Sequence, residues 1–191
     1  EKPQPIAEEP VAELDVASDE TPRIALLRAA YNELVSKDIA SASARIKKLF
    51  DANSSKPGVN RAECRGIMTV LGAATNEREA TGMALVRQTQ IAFKKITIGG
   101  KTLEVKAYAY ANGEVLCNAR KVEVIETRQS SIPIDKASPE EMYSILRAEP
   151  DTSKELVITK AILALRTHNR GDFLRYTKSI KALQPFGEFI K

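Results

Sequence analysis

The feature that most limits the fold is a change of period. Up to about residue 90 the apolar side chains recur every three or four positions, whereas from Ile91 they alternate. Two pairs of turn residues, Gly99-Gly100 and Asn112-Gly113, punctuate "IAFKKITIGGKTLEVKAYAYANGEVLCNARKVEVIE". Pairs of this kind close tight antiparallel hairpins and set their register. A three-stranded antiparallel meander is therefore expected, with helices before and after it in the chain, an α+β architecture. Undisturbed two-residue turns would put Ile96, Leu103 and Val122 in one row, with Val105, Ala107, Ala109, Leu116 and Val124 on the same face. That face reads as the core side, although Asn118 and Arg120 interrupt it. The opposite face would carry a ladder of Lys95, Glu104 and Lys121, with Phe93, Lys106, Tyr108 and Tyr110 beside it.

Start signals place the helices. Thr21-Pro22 pairs a capping hydroxyl with a proline in the first turn, where its missing N–H costs nothing, and Ile24, Leu27, Tyr31 and Leu34 follow at helical spacing. Asp38 caps a second run with Ile39, Ala42, Ile46, Leu49 and Phe50 on one side. Asn60 with Glu63 reads as a capping box before Cys64, Ile67, Met68 and Leu71, and Thr75 or Asn76 opens a fourth helix. After a polar link, "TRQSSIPIDKA", Ser138 to Glu141 forms a capping box with Pro139 at the first helical position. Thr152 to Glu155 repeats the device before an apolar stretch whose only charge is Lys160, which reads as the central helix of the C-terminal part. Gly171 fits the left-handed residue closing that helix, and Asp172 fits the cap of the next. In that last helix Phe173, Tyr176, Ile180 and Leu183 fall on one side, and Arg175, Lys178 and Lys181 on the other; Leu174 projects toward the basic side. The reading divides the chain into an acidic flexible arm, 1–20, an N-terminal helical region, 21–90, the meander, 91–126, and a C-terminal helical region, 137–184.

Charge is unevenly spread. Residues 1–20 hold seven acids against Lys2 alone, a net of −6, and the rest of the 191-residue chain holds 28 basic and 18 acidic side chains, a net of +10. A basic body with an acidic, proline-bearing arm points to a polyanion as partner of the body and to a basic surface, on another chain or copy or on its own body, as partner of the arm. The chain opens on Glu1 instead of Met, so a trimmed N-terminus is expected. No apolar run is long enough to span a membrane, and no secretion signal is visible. Cys64 and Cys117 are too few and too far apart for a disulfide framework or a zinc site and are expected as buried thiols in a reducing compartment.

Catalytic patterns are sparse. There is no Gly-rich phosphate loop, no H-E-x-x-H, no G-x-S-x-G and no second histidine beside His168, so no cofactor or metal site is expected. His168 and Arg170 fall where a helix C-terminus favours cations, which explains them without chemistry. The leading expectation is a non-catalytic binding or assembly protein, of a virion-type or other multi-copy complex, cytoplasmic or virion-associated, docking through residues 1–20. The alternative is a nucleic-acid-binding module, since lysines alternating with tyrosines on an antiparallel sheet can neutralise phosphates and stack bases. Its candidate contacts are Lys95, Lys106, Tyr108, Tyr110 and Lys121, with Arg175, Lys178 and Lys181 on the last helix. A small hydrolase using a carboxylate pair is the third reading.

Overall fold

The computed structural model describes Leu14 and residues 20–190. Four helices come first, α1 (Pro22–Ser36), α2 (Ile39–Asn53), α3 (Arg61–Ala73) and α4 (Glu77–Thr89). Their caps follow the sequence signals. The Thr21 hydroxyl accepts from Ile24 N–H, Asp38 from Ser41 N–H, and Asn60 from both Ala62 and Glu63 N–H. The expected box at Asn60 is only half made, because the Glu63 carboxylate is taken by Arg23 of α1 at 2.7 and 2.9 Å. Leu34, Ile39, Ile46, Ile67, Leu71 and Leu85 are fully buried where these helices meet. Each such side chain contributes about 1.5–3 kcal/mol relative to leaving it in water.

The sheet has four strands where three are expected. β1 (Lys94–Ile98), β2 (Lys101–Ala111), β3 (Glu114–Arg120) and β4 (Arg128–Pro133) lie in that order, all antiparallel. β4 falls within the segment read as a polar link. It is an edge strand that buries Ile132 alone, so it lacks the alternating apolar residues by which a strand is recognised.

Register holds on the first hairpin, with Ile96 opposite Leu103 and Lys95 opposite Glu104, and breaks on the second. Ala109 pairs with Leu116 but Ala107 pairs with Cys117, so Tyr108 is an extra residue, a β-bulge. The slip turns β3 over. Val115, Cys117 and Ala119 become its buried row, Leu116, Asn118 and Arg120 face the other way, and Glu104 meets Arg120 in place of Lys121. Val122, Lys121 and Val124 lie beyond the strand, and Val124 is 41% exposed. α4 crosses the buried row: Thr89 Oγ1 accepts from Ala107 N–H at 3.1 Å, and the Tyr110 ring lies on Gly82 so closely that a Cβ there would overlap it.

The chain returns to helix through a 3-10 turn, Ile134–Lys136, then α5 (Pro139–Arg147), α6 (Lys154–Arg166), α7 (Arg170–Thr177) and a 3-10 segment, Lys181–Phe189. Ser138 and Glu141 complete a full capping box, and the same Glu141 carboxylate also accepts from Gly99 and Gly100 N–H, tying α5 to the β1–β2 turn. The cap of α6 is Ser153, one residue after the expected Thr152. The left-handed residue after α6 is not Gly171 but His168, at φ 55°, and Asn169, not Asp172, caps α7. Asn169 N–H reaches Ala164 O and His168 N–H reaches Leu165 O, the two bonds of a Schellman closure. The expected last helix divides in two, so Lys181 lies on the 3-10 segment, while Phe173, Tyr176, Ile180 and Leu183 are all buried as read. Among the described residues no helix is long and apolar enough to cross a membrane.

Candidate nucleic-acid interface

One face of the sheet is given to α4 and the core. On the other, Lys95, Thr97, Thr102, Glu104, Lys106, Leu116, Asn118, Arg120, Gln129 and Ser131 all keep contact with solvent. Its centre is a row across three strands, Lys95, Glu104 and Arg120. Arg120 Nε donates to Glu104 at 2.6 Å while the guanidinium lies 4.4 Å from the centroid of the Phe93 ring, just before β1. Arg120 is thereby fixed in place by an ion pair on one side and an aromatic face on the other. Thr97 and Thr102 share a hydroxyl hydrogen bond of 2.9 Å one pair further along.

Lys106 sits opposite Asn118 on this face, and the bulged Tyr108 follows it with its side chain 56% exposed. Tyr110 is a correction. Paired with buried Val115 beyond the bulge, it faces α4, and burial raises its phenol above the ordinary range. Lys121 is exposed at the end of β3 but outside the ladder. Undisturbed turns would put Arg120 and Asn118 on the core face, where they stand as interruptions, and the bulge moves both to the open face. Their polarity was itself the signal that the register had slipped, since an arginine in a core row is costly.

The helical candidates lie on another element. Arg175 stacks on the Tyr176 ring at 4.7 Å and reaches Asp172 at 3.5 Å. Asp172 also accepts from the Tyr143 hydroxyl at 2.6 Å and pairs with Arg147 at 3.2 Å, so this cluster joins α5 to α7. Lys178 and Lys181 are exposed past the end of α7.

A cleft of about 460 Å³ gathers acids: Asp38, Glu77, Glu79, Glu114 and Asp135 line it beside Arg78. Desolvation raises the Glu77 carboxyl above its usual range in spite of Arg166, while the Ser41 N–H holds Asp38 below it. Two acids with separated titrations can divide acid and base roles. Glu77, however, is closed in: its side chain is 5% exposed, and Arg166 Nη1 lies 2.9 and 3.2 Å from its two oxygens. No group of three His, Cys, Asp or Glu residues suited to a metal ion exists among the described residues. Cys64 and Cys117 are both buried free thiols, and burial pushes Cys117 up to about 11, far from a reactive thiolate. Compared with known proteins, the chain matches no family model, no curated protein and no solved structure.

Proposed function

We propose that the chain is a non-catalytic binding module whose open sheet face takes a single-stranded nucleic acid. The observation that carries this reading is the bulge, which leaves Tyr108 unpaired and exposed two residues after Lys106, at the margin of a face that holds Lys95, Lys106, Arg120 and Phe93. An exposed aromatic ring offers a base a stacking surface, and the cations beside it neutralise phosphates without reading sequence. The acidic arm serves as an internal competitor for the same basic body. Support for that comes from the described residues of the arm: Leu14 packs against the core, and Glu20 accepts from Arg28 of α1 at 2.7 and 3.1 Å, so both lie on their own chain. Most of residues 1–20 lies outside the described residues.

Binding of a labelled oligonucleotide tests the face. Tyr108→Ala weakens binding by ~1–3 kcal/mol with little change in salt dependence, as loss of one stacked base does. Lys95→Ala or Lys106→Ala flattens the slope of log affinity against log salt by about 0.7 for a single strand. Intact binding by a stable Tyr108→Ala variant removes this proposal.

A further inference from the structure

We propose that copies of the chain associate head to tail, the basic stripe of α7 in one copy seating in an acidic groove beside α4 of the next. The groove, about 700 Å³, runs between α4 and the turn into α6. Ala80, Met83 and Leu156 give it an apolar floor, and Met83 is 45% exposed. Glu79, Glu149 and Glu155 give it an acidic rim. Glu149 is held by Arg87 and Gln88, whereas Glu79 and Glu155 are exposed and form no ion pair among the described residues.

The complement of that groove is on the same chain. Arg170 and Leu174 of α7 and Lys178, the C-cap residue that keeps helical dihedrals just after it, follow at four-residue intervals, which puts them on one side of the helix. Leu174 is 40% exposed, one of the few large apolar side chains the described residues leave in water. Arg170 and Lys178, exposed on either side of it, form no ion pair among the described residues. A leucine between two cations matches an apolar floor between two free carboxylates in both polarity and charge. Sign complementarity selects the pairing, and burial of Leu174 against Met83 supplies attraction. No residue of α7 lines the groove, so a copy does not fill its own. Because the two surfaces differ, the contact is heterologous and builds a ring or an open chain of copies. One short helix in one groove makes a small interface, below about 1,200 Å², so the association is weak.

Sedimentation of the full chain from micromolar to millimolar concentration tests this. The mass of the unaltered protein rises with concentration and falls again as salt is added. Leu174→Asp and Met83→Asp, both at exposed positions, each weaken association about tenfold or more, the effect of losing an interface anchor. Mixed in equal amounts they form dimers and nothing larger, since each variant supplies the one surface the other lacks. Should either variant lose its helical circular dichroism, the reversals Arg170→Glu with Lys178→Glu and Glu79→Lys with Glu155→Lys replace them. Each pair abolishes association alone, and the two combined in one chain restore it. A monomeric unaltered protein at the highest concentration overturns the proposal, and so does a Leu174→Asp chain that associates normally. Failure of the aspartate mixture to dimerise while the unaltered protein associates assigns self-association to other surfaces and equally overturns it.

Discussion

His168 and Arg166 are separated by one residue and answer to different physics. At φ 55° His168 occupies a left-handed position that glycine takes without a Cβ penalty, and the Schellman bonds around it hold it there. His168→Gly is expected to raise stability by about 0.5–1 kcal/mol, read from the denaturant midpoint. Arg166 neutralises Glu77 inside the protein, so one pair joins the start of α4 to the end of α6. Arg166→Met leaves that carboxylate buried without its counter-charge and is expected to cost about 3–5 kcal/mol at neutral pH. The sign of its pH dependence follows from Glu77. The folded state already binds this proton more tightly than the unfolded one, and losing Arg166 strengthens that preference. The variant is therefore most stable below the unfolded carboxyl value of about 4.3 and loses stability as pH rises through the folded one. Urea midpoints across acid and neutral pH check it, and a pH-independent deficit contradicts it. The sequence marked neither residue correctly: Gly171 drew the closure to itself because glycine is the usual occupant, and the partner of Arg166 lies 89 positions away.

At the scale of elements, the contact of α4 with β2 decides what the sheet can do. The Tyr110 ring packs on Gly82 of α4, where an added Cβ would lie only 2.3 Å from a ring carbon. Gly82→Ala is expected to destabilise the protein by about 1–3 kcal/mol through overpacking, although alanine is the better helix former. A thermal or chemical melt checks the direction: a gain in stability would show that the ring moves aside freely. The same contact separates the two tyrosines that strict alternation places together. Tyr110→Ala should reduce stability, and Tyr108→Ala should leave it nearly unchanged. The turns Gly99-Gly100 and Asn112-Gly113 were legible because all four residues need positive φ, which they have. The bulge between them was not, since no turn residue marks it; only Asn118 and Arg120, misplaced on the expected core row, betrayed it.

For the whole molecule, the arm's net −6 stands against +10 on the rest of the chain. Changing Glu1, Glu8, Glu9, Glu13, Asp15 and Asp19 to their amides brings the arm's net charge to zero and keeps Leu14 on the core and Glu20 on Arg28. If the arm competes for the basic body, oligonucleotide affinity rises in this variant. The gain is larger at low salt, where the Debye length is about 30 Å at 0.01 M against about 8 Å at physiological strength. Equal affinities at every ionic strength would leave the arm without this role.

The sequence alone determined where helices start, where the period changes and which residues turn the chain, because caps, alternation and positive-φ turns act over a few neighbouring residues. It also determined the charge division between arm and body, which is a matter of counting. Tertiary structure decided the rest. β4 is a strand only because β3 offers it an edge to bond to. Tyr110 is packed, Tyr108 exposed and Arg120 on the open face because of a one-residue slip stabilised by Thr89 and Gly82 from a helix earlier in the chain. The candidate interface depends on contacts between distant residues, and the register of a two-faced sheet is set by what packs on one of its faces.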